Sequence, residues 1–371
     1  MDKMAFVFSG IGTQWPEMGR DLWETDADFA AGFDAFDTPF RRLSGWSVAD
    51  VLYRNPADIG PAQWGHPCVL AVEFGLFQVL QHHGFHPDLI LGHSGGEVAA
   101  AWAAGILRPS EAALLAWRHS LLLEQAAGGG KMLFIALPAA EVETLLEPYT
   151  GHITIAAVNS PRGTVCGGEE ALLQELAAAQ PPDTFCRLLP VDVPFHTGAI
   201  EPFLESFEMA LVPLNPRRPR LPIVSTLHGG PWRTGDFGGA YWRRHVREPV
   251  LFAAALQCAM DQGCRRFVEL SPHAVLQASI QETAAARGIR VISCGLMARD
   301  LEGSVTLAQG LDLLRSWQNA GAPSAGVSAG DDRREDEQKS PGTQRRLREW
   351  IRTDLEKLLP GQNLAENAPF Q

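Results

Sequence analysis

Residues 88–104, DLILGHSGGEVAAAWAA, constrain this chain more than any other stretch. Leu89, Ile90 and Leu91 form a short apolar run of the kind that makes a buried strand. Gly92-His93-Ser94-Gly95-Gly96 follows, and from Glu97 the chain is rich in alanine, a strong helix former. Strand, tight turn and helix are the setting that makes G-x-S-x-G a nucleophile elbow. Flanking glycines suit a sharp turn with strained φ and ψ and let a substrate approach the backbone. The turn lifts the Ser94 hydroxyl to a helix N-terminus, where free N–H groups favour a developing negative charge. The bland reading is a Gly-rich turn with an ordinary serine; the strand before it and the helix after it argue against that.

The chain ahead of the elbow opens with an apolar run, residues 5–9, that reads as a buried strand. It leads into Gly10-Ile11-Gly12-Thr13-Gln14-Trp15. Glycines directly after a strand free backbone N–H groups for a ligand or an oxyanion. The loop has G-x-G but not G-x-G-x-x-G, so a dinucleotide reading is weak. Over 67–82 apolar residues recur at helical spacing (Val69, Val72, Phe74, Phe77, Leu80), and Gly84 ends the helix. A helix over 110–126 follows the elbow, then Gly128-Gly129-Gly130 marks a boundary.

Between 131 and 193 the pattern becomes βαββαβ, the order of a ferredoxin-like unit. A helix near 200–211, a strand at 222–225 and helix–strand alternation to 294 then return to a larger unit with a mostly parallel sheet. The expected fold class is α/β: a large α/β-hydrolase-like subdomain over 1–130 and 195–300, with a small ferredoxin-like subdomain inserted over 131–194. Residues 301–342 read as a trailing region and flexible linker, because 322–342 is polar, charge-mixed and rich in Pro, Gly and Ser. Residues 345–359 resume an amphipathic helical pattern that has no core of its own.

A formal net charge of −12 argues against a dedicated nucleic-acid binder. The clusters Arg217-Arg218-Pro219-Arg220 and Arg243-Arg244 with Arg247 could still meet small anions, though a solvated surface is the commoner role. The six cysteines show no C-x-x-C and no metal-finger spacing, so no metal site is expected. They fit a reduced, cytoplasmic protein. The N-terminal apolar run is too short for a signal-peptide core, and no stretch approaches the ~20 apolar residues of a membrane helix.

A serine nucleophile needs a base, and histidine is the commonest at neutral pH. Among 11 histidines, His93 adjoins Ser94 and would point away from it in an elbow. His196, in Pro190-Val191-Asp192-Val193-Pro194-Phe195-His196, is the better candidate. It is expected at a strand end, where side chains emerge at the carboxyl edge of the sheet. Its other reading is a buried structural histidine. No carboxylate stands out as a third triad member.

Taken together, FVFSGIGTQWPEMG, GHSGGEVAAAWAAG, AAVNSPRG, VPFH, YWRRHVREPV and VELSPHAVL, in that order over about residues 4–300, resemble the acyltransferase domain of modular polyketide synthases. That family is related to malonyl-CoA:acyl carrier protein transacylase. The resemblance implies Ser94 as the nucleophile that forms an acyl-enzyme and His196 as general base and then acid. It implies an oxyanion hole from the backbone N–H groups of Ile11 and Gly95. It also implies that His196 is oriented by a main-chain carbonyl, at the position of His245, rather than by a carboxylate. Ile11 stands where the family usually has Gln, and His245 where it has Asn or Gln; both changes leave the backbone group in place. Gln14 and His93 belong to the quoted motifs and are expected beside the pocket.

The implied reaction is ping-pong. An acyl-CoA acylates Ser94, CoA leaves, and the phosphopantetheine thiol of an acyl carrier protein attacks the ester. No bound cofactor is implied; the partners are the acyl-CoA, the carrier protein and other synthase domains, with no nucleic acid and no membrane. Residues 343–371 look like the first helix and loop of a carrier protein, cut before its phosphopantetheine serine. A start at Met1 just ahead of the first strand, with a carrier directly after, matches the order of a loading module.

Extender-type members carry an Arg 25 positions after the nucleophile, which grips the free carboxylate of malonyl as a bidentate pair. Here that position is His119, with Arg118 one residue before it. One residue turns a helix by about 100°, so Arg118 should face away from the vacated spot. His66, in place of the usual Gln before Pro67, is a second departure. The expectation is a non-carboxylated starter unit. Phe195, just before His196, favours malonyl in extender members and keeps an extender acyltransferase as the alternative. An editing hydrolase that clears acyl groups from carriers is the rival of another class.

Overall fold

The computed structural model describes residues 2–54 and 59–319. The carrier-like segment expected over 343–371 and most of the expected linker lie outside these residues. In chain order the strands are β1 (Lys3–Phe8), β2 (Leu89–Gly92), β3 (Lys131–Ile135), β4 (Ile153–Ser160) and β5 (Gly163–Gly168). They continue as β6 (Cys186–Leu188), β7 (Ile223–Ser225), β8 (Gly230–Pro231), β9 (Cys264–Leu270) and β10 (Ile292–Gly295).

Six strands form one sheet in the order β10-β9-β1-β2-β7-β8, parallel except for the short edge strand β8. A parallel sheet needs cover on both faces, and its central strand shows it. Met4, Phe6 and Phe8 of β1 enter one core, while Ala5 and Val7 enter the other. The first core is packed by helices Ala27–Ser44, Ala62–His82 and Pro109–Gln125; the second by helices Phe252–Asp261 and Gln277–Ala286.

Residues from β3 to β6 form a second, fully antiparallel sheet in the order β4-β5-β3-β6, with helices Ala139–Leu145 and Glu170–Ala178 in a βαββαβ order. Leu133 and Ile135 of β3 pack under those helices, while Met132 and Phe134 turn to the second core of the large unit. The small sheet is therefore seated on the large unit. Val250 joins the two by bonding both ways across β4, to Ala156 O and from Val158 N–H, each at 2.9 Å.

Four differences from the sequence reading have physical causes. The helix expected over 67–82 begins at Ala62 and holds Pro67 inside it, so His66 is helical. A proline at the sixth helical position forfeits one backbone bond, a cost that reads from sequence as a start signal. The last strand of the expected βαββαβ unit is only the three-residue β6, and His196 sits beyond it in a loop with φ of 58°, not at a strand end. The helix expected near 200–211 splits into a 3-10 turn, Gly198–Phe203, and an α-helix, Leu204–Ala210. The large unit does not stop at 300: helix Gly303–Asn319 buries Leu307, Leu311, Leu314 and Trp317 against the first core. Among the described residues, no helix is long and apolar enough to cross a membrane.

Candidate active site

β1 and β2 are neighbours, with Phe8 opposite Gly92, so the loops that follow them leave the sheet side by side at its carboxyl edge. This is the edge where open α/β sheets place their ligands. Gly10 makes the approach of the two loops possible, since a Cβ there would lie 2.8 Å from the His93 carbonyl oxygen. It also stands close to the backbone nitrogen of Gly95, which puts the first loop against the elbow. Ser9 braces that loop from below by donating its hydroxyl to the buried Glu269 at 2.8 Å. Gln14 braces it from within: its side-chain oxygen accepts the Gly12 N–H at 2.7 Å.

Ser94 has φ of 50°, the left-handed strain of a nucleophile elbow, and begins the 3-10 turn Ser94–Gly96 that runs into helix Glu97–Ala103. Its Oγ is 2.8 Å from His196 Nε2. His196 Nδ1–H donates to the carbonyls of His245, at 2.9 Å, and Glu248, at 3.0 Å. Both oxygens lie at the end of helix Gly239–Arg247, where carbonyls lack partners within the helix. With Nδ1 carrying the proton, the Nε2 lone pair faces the serine. Burial pushes His196 down to about 3, and positive charge at His245 and His93 would act in the same direction. The imidazole is thus neutral and placed to take a proton from Ser94, and among the described residues its Nδ1–H is held by carbonyls rather than by a carboxylate.

His93 turns from the serine, as an elbow requires: its Nε2 is 2.7 Å from Asn159 Oδ1 on β4, and its ring packs on Phe252. This contact ties the elbow to the small sheet. On the other side, His66 lies over Gly95, where a Cβ would stand 2.6 Å from its Nε2, so any larger residue there would have to displace the ring. The His66 ring meets His119 edge-on at 4.6 Å. Burial lowers His66 to about 4 and carries His119 well below its ordinary value, so both are neutral. Phe195 is half-buried between the two cores. Arg118 is half-buried with its Nε enclosed and without a partner among the described residues.

Several participants were not singled out from sequence. Glu97 is buried and accepts the Thr226 hydroxyl at 3.0 Å and the Tyr241 hydroxyl at 2.6 Å. The Glu248 carbonyl, Asn159 and Glu269 are others. Glu97, Asn159 and Tyr241 all stand inside the motifs quoted above, so the signal was present without an assigned task. The basic cluster on helix Gly239–Arg247 is neutralised locally: Arg243, Arg244 and Arg247 pair with Glu208, Glu248 and Glu201. Among the described residues, no group of three or more His, Cys, Asp or Glu side chains could hold a metal ion.

Buried neutral histidines make stability depend on pH. The unfolded chain takes up protons on His66, His93, His119 and His196 below about pH 6.5, while the folded chain resists them. Their contribution is therefore complete above pH 6.5 and is lost as pH falls toward the folded values. His66 alone accounts for on the order of 3 kcal/mol by pH 4. Thermal unfolding followed from pH 7 to pH 4 should show a smaller fall in Tm for His66→Gln than for the wild-type protein, a comparison that sets aside the opposite contribution of the buried Glu73 and Glu269; an equal fall would contradict neutral burial.

Residues 5–318 match the family model for the acyl transferase domain. The chain is 35% identical over 323 residues to the pikromycin polyketide synthase component PikAII of Streptomyces venezuelae, covering 85% of this chain and 8% of that protein. It is 37% identical over 287 residues to mycoketide-CoA synthase of Mycobacterium tuberculosis, covering 76% of this chain and 7% of that protein. The chain thus spans less than a tenth of the length of these relatives. Among solved structures it is similar to a loading acyltransferase from the avermectin modular polyketide synthase. There the TM-score is 0.80 at 32% identity, covering 84% of this chain and 99% of that one. The acyltransferase domain from module 8 of the salinomycin polyketide synthase gives 0.82 at 31%, covering 86% and 76%. With the matched stretch running through nearly all the described residues, the chain belongs to the acyl transferase domain family, as an acyltransferase of the polyketide synthase type.

Proposed function

We propose that the chain moves an acyl group from acyl-CoA through a Ser94 ester to the phosphopantetheine thiol of an acyl carrier protein, and that it selects an uncharged starter group. The observation that carries the chemistry is the 2.8 Å contact between Ser94 Oγ and a His196 ring held by two carbonyls. Ser94 Oγ attacks the thioester carbonyl and His196 Nε2 takes its proton. The N–H groups of Ile11 and Gly95 receive the oxyanion. Collapse breaks the C–S bond, and His196 returns the proton to the departing CoA sulfur. The carrier thiol then gives its proton to His196 and attacks the ester carbonyl; as the C–O bond to Ser94 breaks, His196 returns that proton to Ser94 Oγ and the free hydroxyl is restored. The same reading takes the small sheet as a ferredoxin-like insert in an α/β-hydrolase-like body. Six free cysteines support a reducing, cytoplasmic setting, with other synthase domains as neighbours.

The starter assignment rests on the His66–His119 pair. By the resemblance, His119 takes the place of the cation that a malonyl carboxylate would need, and the His66 ring beside it is neutral too. Leaving that charge unpaired in a dry pocket is costly, and a charge-assisted pair is worth roughly 1.5–3 kcal/mol. The similar solved structures include both a loading acyltransferase and an acyltransferase domain from a numbered module, so the preference for a starter rests on these side chains. The extender reading keeps two observations of its own: Phe195 before His196, and the unpartnered Nε of Arg118.

Weighing the acyl-enzyme after incubation with a panel of acyl-CoAs tests the choice. Acetyl, propionyl or branched adducts should dominate; a malonyl majority would overturn the starter reading. His119→Arg should raise malonyl loading relative to acetyl by about 10- to 100-fold. Supplying holo carrier protein separates transfer from editing, since an editing hydrolase would lose its acyl group to water faster than to the thiol.

A further inference from the structure

Glu97 lies three residues after Ser94, at the first position of helix Glu97–Ala103, with no exposed surface. Its carboxylate accepts the Thr226 backbone N–H and hydroxyl and the Tyr241 hydroxyl. Its Oε2 also lies 3.0 Å from His245 Nε2, an electrostatic contact that is not aligned as a hydrogen bond. Burial opposes ionisation of Glu97, but His245, Tyr241 and Thr226 outweigh it and hold the carboxyl below its ordinary range. A buried carboxylate with this many partners is costly to disturb, because each donor loses its acceptor together.

Tyr241 and His245 are four residues apart on helix Gly239–Arg247 and so share one face. Ser225 at the end of β7 adds a hydroxyl contact to Tyr241 at 2.7 Å. The last turn of that helix and the residue after it present the two carbonyls that hold His196 Nδ1–H. We infer that Glu97 is a positioning residue: by clamping helix Gly239–Arg247 through Tyr241 and His245, it aims the His196 ring at Ser94. The elbow therefore carries its own anchor for the base, three residues from the nucleophile and more than a hundred from the helix it holds. The inference rests on the Ser94–His196 reading proposed above.

Glu97→Gln keeps the shape of the side chain and removes its charge. In the full chain it should lower kcat for acyl transfer by about 10- to 100-fold, the usual cost of losing a supporting partner, with KM for acyl-CoA little changed. The decisive measurement pairs it with His196→Ala. If Glu97 acts through His196, the double variant is no slower than His196→Ala alone; a general structural loss would slow it further. Should Glu97→Gln fail to fold by thermal melting, Tyr241→Phe, which removes one contact of the clamp, gives the same comparison. A wild-type kcat for Glu97→Gln, or a full additional loss in the double variant, overturns the inference. Ser94→Ala run alongside separates the two levels. Wild-type loading on that variant would sink the reading of the site itself, whereas its failure to load beside a fully active Glu97→Gln would sink only the clamp.

Discussion

Ser94→Ala is expected to abolish acyl loading, with transfer to carrier protein reduced by about 10⁴- to 10⁶-fold. The reason is geometric. Ser94 is the hydroxyl at the strained turn, with its Oγ 2.8 Å from a neutral imidazole and the Gly10 loop packed against it. No neighbouring group repeats that placement: His93 is bound to Asn159, and the His66 ring is packed on His119. Intact-protein mass spectrometry after exposure to acyl-CoA checks the result directly. Wild-type protein should gain the mass of one acyl group and the alanine variant none. An adduct on the variant at the wild-type extent would place the nucleophile elsewhere. Residual transfer above the uncatalysed rate is expected, since the oxyanion donors and binding surfaces survive the substitution.

His196→Ala should cost nearly as much, again about 10⁴- to 10⁶-fold, because a serine without its base is a poor nucleophile at neutral pH. The imidazole is needed twice, once to take the serine proton and once to take the carrier thiol proton. Both half-reactions should therefore slow when acylation and transfer are timed separately by rapid quench. The losses should not add. Ser94→Ala and His196→Ala combined should be no slower than either alone, because the two side chains act as a unit. A multiplicative loss would mean that His196 acts on something other than Ser94.

The Ser94–His196 contact was legible in part: glycines around a serine between strand and helix point to an elbow at Ser94, whereas His196 was expected at a strand end and lies in a loop instead. The main sheet was legible from its short apolar runs. Other features were hidden for equally physical reasons. The start of helix Ala62–His82 was masked by Pro67, whose local cost is borne by packing within the first core. The left-handed backbone at His196 leaves no trace in composition. The second carbonyl acceptor, Glu248, is a backbone atom, which no side-chain pattern can announce. Glu97 reads as an ordinary helix-starting acid until the fold brings Thr226, Tyr241 and His245 to it. The boundary expected at 300 misses helix Gly303–Asn319, whose Leu307, Leu311, Leu314 and Trp317 form a last layer of core, because the composition turns linker-like only after it.

Ser94 and His196 stand 102 positions apart along the chain, and the carbonyl that steadies the imidazole lies 49 further on. Contacts of such long reach carry a loop-closure cost before they return anything, so they tend to form late. During synthesis on the ribosome, the reactive alcohol would emerge and fold into its turn well before its base and that base's support were available. The imidazole and the carbonyls that hold it would come within reach of Ser94 only once the chain has been made as far as Glu248.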